Sequence, residues 1–129
     1  MSKSQFPKRG EMQLIPQRGQ IWLAEFPPAK ESRKPIRPIL VISGNVQNEY
    51  DEWIAVVPIT TEDIKNIEPF EIFIENNKET GLDHPSKIQF IYPFTVDKER
   101  LKEFLGIVNK EIMNQAKVAW KIAFDSEEW

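Results

Sequence analysis

No cysteine occurs anywhere in the 129-residue chain, and histidine occurs once. The first absence removes disulfides and thiolate metal sites, and it points to a reducing compartment, the cytoplasm. The second removes paired-histidine acid–base chemistry and histidine-rich metal centres. Glycine is scarce at five residues, and none of the five builds a GxxxxGK[ST], GxGxxG or GxSxG loop. HExxH is missing too, so no metal or cofactor is expected. No apolar run approaches the roughly 18 residues of a membrane span. The opening MSKSQFPKRGEMQ has cations without an apolar stretch behind them, so a secretory leader is not expected. A cationic surplus is absent as well: 17 Lys and Arg against 20 Asp and Glu give a net charge of −3. Binding of nucleic acid by bulk charge is therefore not expected, but phosphate responds to the local field, which a small basic site can supply.

What is present reads as one globular domain, with 40% hydrophobic and 29% charged residues. Residues 1–17 are polar, carry Pro7 and Pro16, and read as a flexible arm ahead of a single domain over 18–129. GQIWLAEF (19–26) sets Ile21, Leu23 and Glu25 against Trp22, Ala24 and Phe26, a strand covered on both faces. PPAKESRKPIRP (27–38) reads as a long proline-broken loop of the kind that forms binding lids. ILVIS, EWIAVVPITT, PFEIFIE and SKIQFIYPFTV read as four further strands, with GNVQNEYD as a turn between the first two. In PFEIFIE, Glu71, Phe73 and Glu75 alternate with Phe70, Ile72 and Ile74, which predicts a half-exposed strand. NNKETGLDHP joins the last two strands, with Gly81 free to take a positive φ. DKERLKEFLG (97–106) then places Leu101, Phe104 and Leu105 at helical spacing, with Thr95 or Asp97 as cap and Gly106 as stop. NKEIMNQAKVAWKIAF (109–124) is a second, amphipathic helix. The whole is mainly β (α+β): a strongly bent antiparallel sheet or open barrel with helices at its C-terminal end.

Few residues stand out for chemistry. His84, before Pro85, reads as an exposed turn histidine, and Glu62 with Asp63 reads as a polar turn rather than a metal site. Arg37 is different, because it stands between Ile36 and Pro38 where a basic loop enters an apolar strand. Thr60 and Thr61 close the apolar strand that contains Pro58. A guanidinium beside a hydroxyl at a strand end suits an anion or phosphate.

RGQIWLAEFPP (18–28), RPILVIS (37–43), VVPITT (56–61) and TVDKERLKEFLG (95–106), in this order and spacing, resemble the MazF/PemK toxins of bacterial toxin–antitoxin systems. The resemblance spans roughly 17–124. It implies a small SH3-like, partly open barrel, a homodimer, and metal-independent, sequence-specific cleavage of single-stranded RNA, chiefly messenger RNA. It also implies a cognate antitoxin that covers the RNA groove. On that resemblance Arg37 takes the catalytic arginine position and Thr60 the hydroxyl position. Arg33, Lys34, Thr61, Gln89 and Tyr92 would then contact RNA. Trp22, Phe26 and Phe90, with Tyr92, are the candidates for stacking on bases. Where many members carry a D-Q-x-R-like stretch, this chain reads QFIYPFT, with Ile91, Tyr92 and Phe94 in those places. Catalysis here would therefore rest on the arginine of the RP block and the threonine of the IT block. Two other readings remain: a CcdB-like, non-catalytic gyrase-binding toxin using the C-terminal Trp129, or a degenerate homologue without nuclease activity.

Overall fold

A computed structural model describes residues 15–26 and 36–125 in full, together with the backbone of 8–9 and 12–13. In the N-terminal segment, β1 (Lys8–Arg9) pairs antiparallel with β2 (Met12–Gln13). The main sheet has seven strands: β3 (Gln20–Glu25), β4 (Ile36–Val41), β5 (Trp53–Thr60), β6 (Glu71–Ile74), β7 (Ser86–Gln89), β8 (Phe94–Asp97) and β9 (Leu101–Ile107). Helix α1 (Asn45–Tyr50) bridges β4 and β5, and α2 (Lys110–Phe124) follows the sheet. The hydrogen-bonded order is β6-β7-β5-β4-β3-β9, with β8 also on β5, and every pairing is antiparallel.

The curl of this sheet makes two cores. Trp22, Ala24, Ile39, Val41, Ile54, Val56, Val96 and Leu101 fill the inside of the curl, with Phe26, Phe94 and Phe104 against them. Ile21, Leu40, Val57, Ile59 and Ile88, on alternate positions of the same strands, face outward beneath Ala116 and Ala119 of α2. β3, β4 and β5 are thus buried on both faces, because each residue parity has its own core to fill. β8 and β9 are consecutive but do not pair, so the barrel is open between them. This is the mainly β, partly open barrel that the sequence predicts.

Five expectations are corrected. The loop over 27–38 ends earlier, because Ile36, Arg37 and Pro38 belong to β4 and pair with Glu25, Ala24 and Leu23. GNVQNEYD holds helix α1 rather than only a turn. SKIQFIYPFTV is two strands: β7 takes β6 and the end of β5, whereas β8 takes the start of β5. Pro58 lies between Val56, the last β5 residue paired with β8, and Ile59, the first paired with β7. DKERLKEFLG is not a helix but a single 3-10 turn (Lys98–Arg100), capped by Asp97, followed by β9. One C-terminal helix, not several, therefore packs on the sheet. Finally, Glu71 is buried rather than on an exposed face.

Inside the α1 corner lies a polar knot. Asn48 has no exposed surface; its amide donates to the Ser43 carbonyl (3.1 Å), and its Oδ1 accepts from the Ser43 hydroxyl. The Ser43 hydroxyl also accepts from the Ala55 N–H at 3.0 Å. Asn48→Ala strips partners from a buried carbonyl and a hydroxyl, and is expected to cost roughly 1–3 kcal/mol in urea denaturation.

Candidate active site

β4 delivers Arg37 to the mouth of the barrel. Pro38 and the buried Ile39, Leu40 and Val41 fix the strand behind it, while Arg37 itself is exposed. Residues before proline favour the extended region, which suits the strand Arg37 occupies. Across β3 its partner is Ala24, which leaves room for the guanidinium to lie over the Phe26 ring, 4.8 Å from the centroid. That stack contributes about 0.5–1 kcal/mol at an exposed site and leaves the N–H edges of the group free for a ligand. Phe26 is itself held by Phe94, at 5.4 Å between ring centroids. Phe94 thus has a packing role where the family's polar stretch would stand.

Thr60 ends β5. The β4–β5 ladder runs from Val41↔Val56 to Ile39↔Pro58, so Arg37 and Thr60 each stand two residues beyond its last pair, at the same end of neighbouring strands. Alternation places both on the face that includes Ile39, Val56 and Phe94, the inside of the curl at its rim. The Thr60 hydroxyl accepts from the Glu62 backbone N–H at 3.1 Å. With a lone pair engaged in that way, its own proton is free to donate outward. The strand end therefore presents a guanidinium and an oriented hydroxyl on neighbouring strands.

The remaining sequence candidates divide. Thr61 is exposed directly after Thr60. Gln89 is half-buried on β7 and Tyr92 is 59% exposed in the turn that follows, its N–H donating to the Gln89 carbonyl. Arg33 and Lys34 lie outside the described residues, as does Trp129. Trp22 and Phe90 are corrected as stacking candidates: both are core residues, at 0% and 1% exposure. His84 is an exposed turn residue whose carbonyl accepts from Ser86. Among the described residues, no three His, Asp or Glu side chains converge to hold a metal ion.

Beside Phe26 the open seam of the barrel forms a cleft of about 570 Å³, floored by Phe26 and Phe94 and rimmed by Trp53, Arg100 and Lys102. Glu25 and Lys102 form an exposed ion pair at 3.2 Å on its edge. The sequence reading missed one group altogether. Lys87, the β7 residue paired with Thr60, is buried and forms a 2.9 Å ion pair with the buried Glu71. Its only sequence signal is a pair of opposite charges, each within a short apolar strand, on two strands joined by one connection.

The fold and this geometry can be set beside known proteins. The profile of the PemK-like, MazF-like toxins of type II toxin–antitoxin systems matches residues 17–124. The Endoribonuclease MazF of Staphylococcus saprophyticus is 33% identical over 107 residues, covering 82% of this chain and 88% of that protein. A mycobacterial endoribonuclease solved in complex with its cognate antitoxin superposes with a TM-score of 0.69 at 22% identity, covering 85% and 95% of the two chains. A MazE–MazF complex from Deinococcus radiodurans gives 0.68 at 17% identity, covering 87% and 97%.

Proposed function

This chain belongs to the PemK-like, MazF-like toxin family of type II toxin–antitoxin systems, and from that premise we propose that it cuts single-stranded RNA at Arg37 and Thr60. The observation that carries the site is the placement of those two side chains on adjacent strands at the barrel mouth, the first braced on Phe26 and the second oriented by the Glu62 N–H.

RNA brings its own nucleophile. In the proposed reaction the 2′-oxygen bonds to the adjacent phosphorus, the bond from phosphorus to the 5′-oxygen breaks, and a 2′,3′-cyclic phosphate remains. The 2′-OH loses its proton to a base, and the departing 5′-oxygen gains one. Charge grows on the non-bridging oxygens as the phosphorane forms. Arg37 meets it with paired N–H donors in a position set before substrate arrives, which is where such stabilisation is largest. Thr60 donates its free proton to a phosphoryl oxygen and so holds the phosphate in line. Neither role draws on a metal ion. Thr61, Gln89 and Tyr92 would line the path of the strand, and the cleft over Phe26 and Phe94 gives the neighbouring nucleoside an aromatic floor.

The family also supports messenger RNA as substrate, a homodimer, a cytoplasmic site of action and inhibition by a cognate antitoxin. No helix among the described residues is long and apolar enough to cross a membrane. The gyrase-type reading loses ground, because the family match over 17–124 runs through the ribonuclease blocks. The decisive test is cleavage of a defined RNA pool in excess EDTA with mapping of the new ends. Cuts at a fixed sequence, each leaving a 2′,3′-cyclic phosphate, are expected. Intact RNA would support the degenerate reading, and intact RNA with arrested growth the gyrase one. Thr60→Val, which keeps the shape and removes the donor, is expected to lower kcat roughly tenfold or more with the fold intact.

A further inference from the structure

Lys87 projects from β7 on the same face as Thr60, its direct partner in the ladder. Yet its ammonium does not reach solvent: the side chain is 5% exposed and that of Glu71 is 6% exposed. A connection folded over this face covers both. Residues 61–70 join β5 to β6, and Lys87 donates to the carbonyl of Asn66 within them at 3.0 Å. Glu71 Oε1, 2.9 Å from the ammonium, also accepts from the Glu68 N–H at 3.0 Å. The Glu71 N–H returns a bond to the Glu68 carbonyl at 2.8 Å.

Stability alone does not explain such a pair. Two charges taken out of water repay their desolvation poorly, and an apolar pair of the same size often does as well. What distinguishes this one is where its bonds lead. The connection is mostly exposed, and only Ile64 and Phe70 of its residues are even half-buried. From Asn66 its N–H reaches the Asp63 carbonyl (3.2 Å) and its amide the Asp63 carboxylate (2.9 Å). Asp63 adjoins Glu62, whose N–H orients the Thr60 hydroxyl. A chain of short contacts thus runs from the buried ion pair to the hydroxyl at the strand end.

We propose that Lys87 and Glu71 form a positioning pair, which pins the 61–70 connection and through it fixes the Thr60 hydroxyl and the exposed Thr61 for RNA. The inference rests on the RNA-cleavage reading. Neither side chain touches substrate.

Lys87→Met and Glu71→Met singly, and both together, test it by thermal melting, amide exchange and steady-state RNA cleavage. Each single change strands a buried charge and is expected to lower Tm. The double change removes both charges, so Tm should recover towards wild type. Exchange across 61–70 should nevertheless stay fast, and kcat should remain roughly tenfold or more below wild type with KM little altered. A double variant with wild-type kcat overturns the proposal, as does one whose connection is still protected from exchange. Should the double variant not fold, Asn66→Ala, at an exposed residue, removes the side-chain half of the Asn66–Asp63 link and leaves the backbone half and the Lys87 bond in place. Faster exchange across 61–66 with a fall in kcat at unchanged Tm supports the proposal, and faster exchange with wild-type kcat overturns it, as does unchanged exchange across 61–66 in Lys87→Met. A wild-type protein that fails to cut RNA would instead overturn the reading beneath, while the exchange measurement still decides whether the pair holds the connection.

Discussion

Arg37→Ala is expected to lower RNA cleavage by roughly 100- to 1,000-fold, the loss that follows removal of one strong donor to a transition-state oxyanion. Its melting temperature should barely move, because the side chain is exposed and its one described ring contact, with Phe26, is worth little. The loss should appear mainly in kcat. Phosphate contacts that hold RNA in both ground and transition states would appear in KM, whereas in the proposed reaction this guanidinium meets the charge that develops as the phosphorane forms. Arg37→Lys should recover only part of the activity: an ammonium restores the charge but not the flat fork, nor an equal stack on the ring. Single-turnover cleavage with each variant in excess over RNA checks this. Full activity in Arg37→Ala would remove the residue from the reaction.

Gly106→Ala should produce the largest loss of stability. A Cβ on Gly106 would lie 2.1 Å from the Glu79 carbonyl oxygen, and one on Gly81 would lie 2.1 Å from that of Leu105. Here the connection between β6 and β7 crosses β9 backbone to backbone, and Ile107 donates to Glu79 at 2.8 Å. No flexible side chain can give way. Gly81 also has φ of +71°, so it carries strain as well as a clash once substituted. A cost of about 3 kcal/mol or more is expected for Gly106→Ala, lowering Tm on the order of 10 °C. An unchanged calorimetric Tm would contradict this reading of the crossing.

These two glycines also show how far the sequence could be read. Gly81 was legible as a positive-φ position because a hairpin-like connection needs one. Gly106 looked like the stop of a helix because Leu101, Phe104 and Leu105 recur at helical spacing. The structure explains the deception. The β3–β9 register shifts between Ile21 and Trp22 and again between Leu23 and Ala24. Each bulge adds a residue to β9, so Leu101 and Phe104 both reach the inside of the barrel although three positions separate them. A period of two, interrupted twice, counterfeits a period of 3.6. Helix α1 was hidden differently: it is only six residues long, and Asn45, Asn48 and the preceding Gly44 are the residues of a turn.

The candidate site was read from short local blocks rather than from the fold. Arg37 and Thr60 each stand in a short block that is weak alone, and the four blocks in order single them out. Lys87 and Glu71 have no such block. Their meaning depends on which strands pair and in what register, and on a connection that folds over them, none of which is written in a run of adjacent residues.

The partners of β3 give the chain a schedule. β4 follows it closely, and the β4–β5 pairing, which ends two residues short of Arg37 and Thr60, closes only a modest loop. β9 pairs with the opposite edge of β3 from nearly 90 residues further along the chain (Gln20 with Ile107). Contacts between distant segments are the slow ones, since the loop is closed before any packing rewards it. On a ribosome making the chain from its N-terminus, β3 therefore holds one edge unpaired until nearly all of the domain has been synthesised. The strands that carry Arg37 and Thr60 can pair early, but the barrel that steadies them completes late. The domain would acquire its activity only once β9 has been made and has paired.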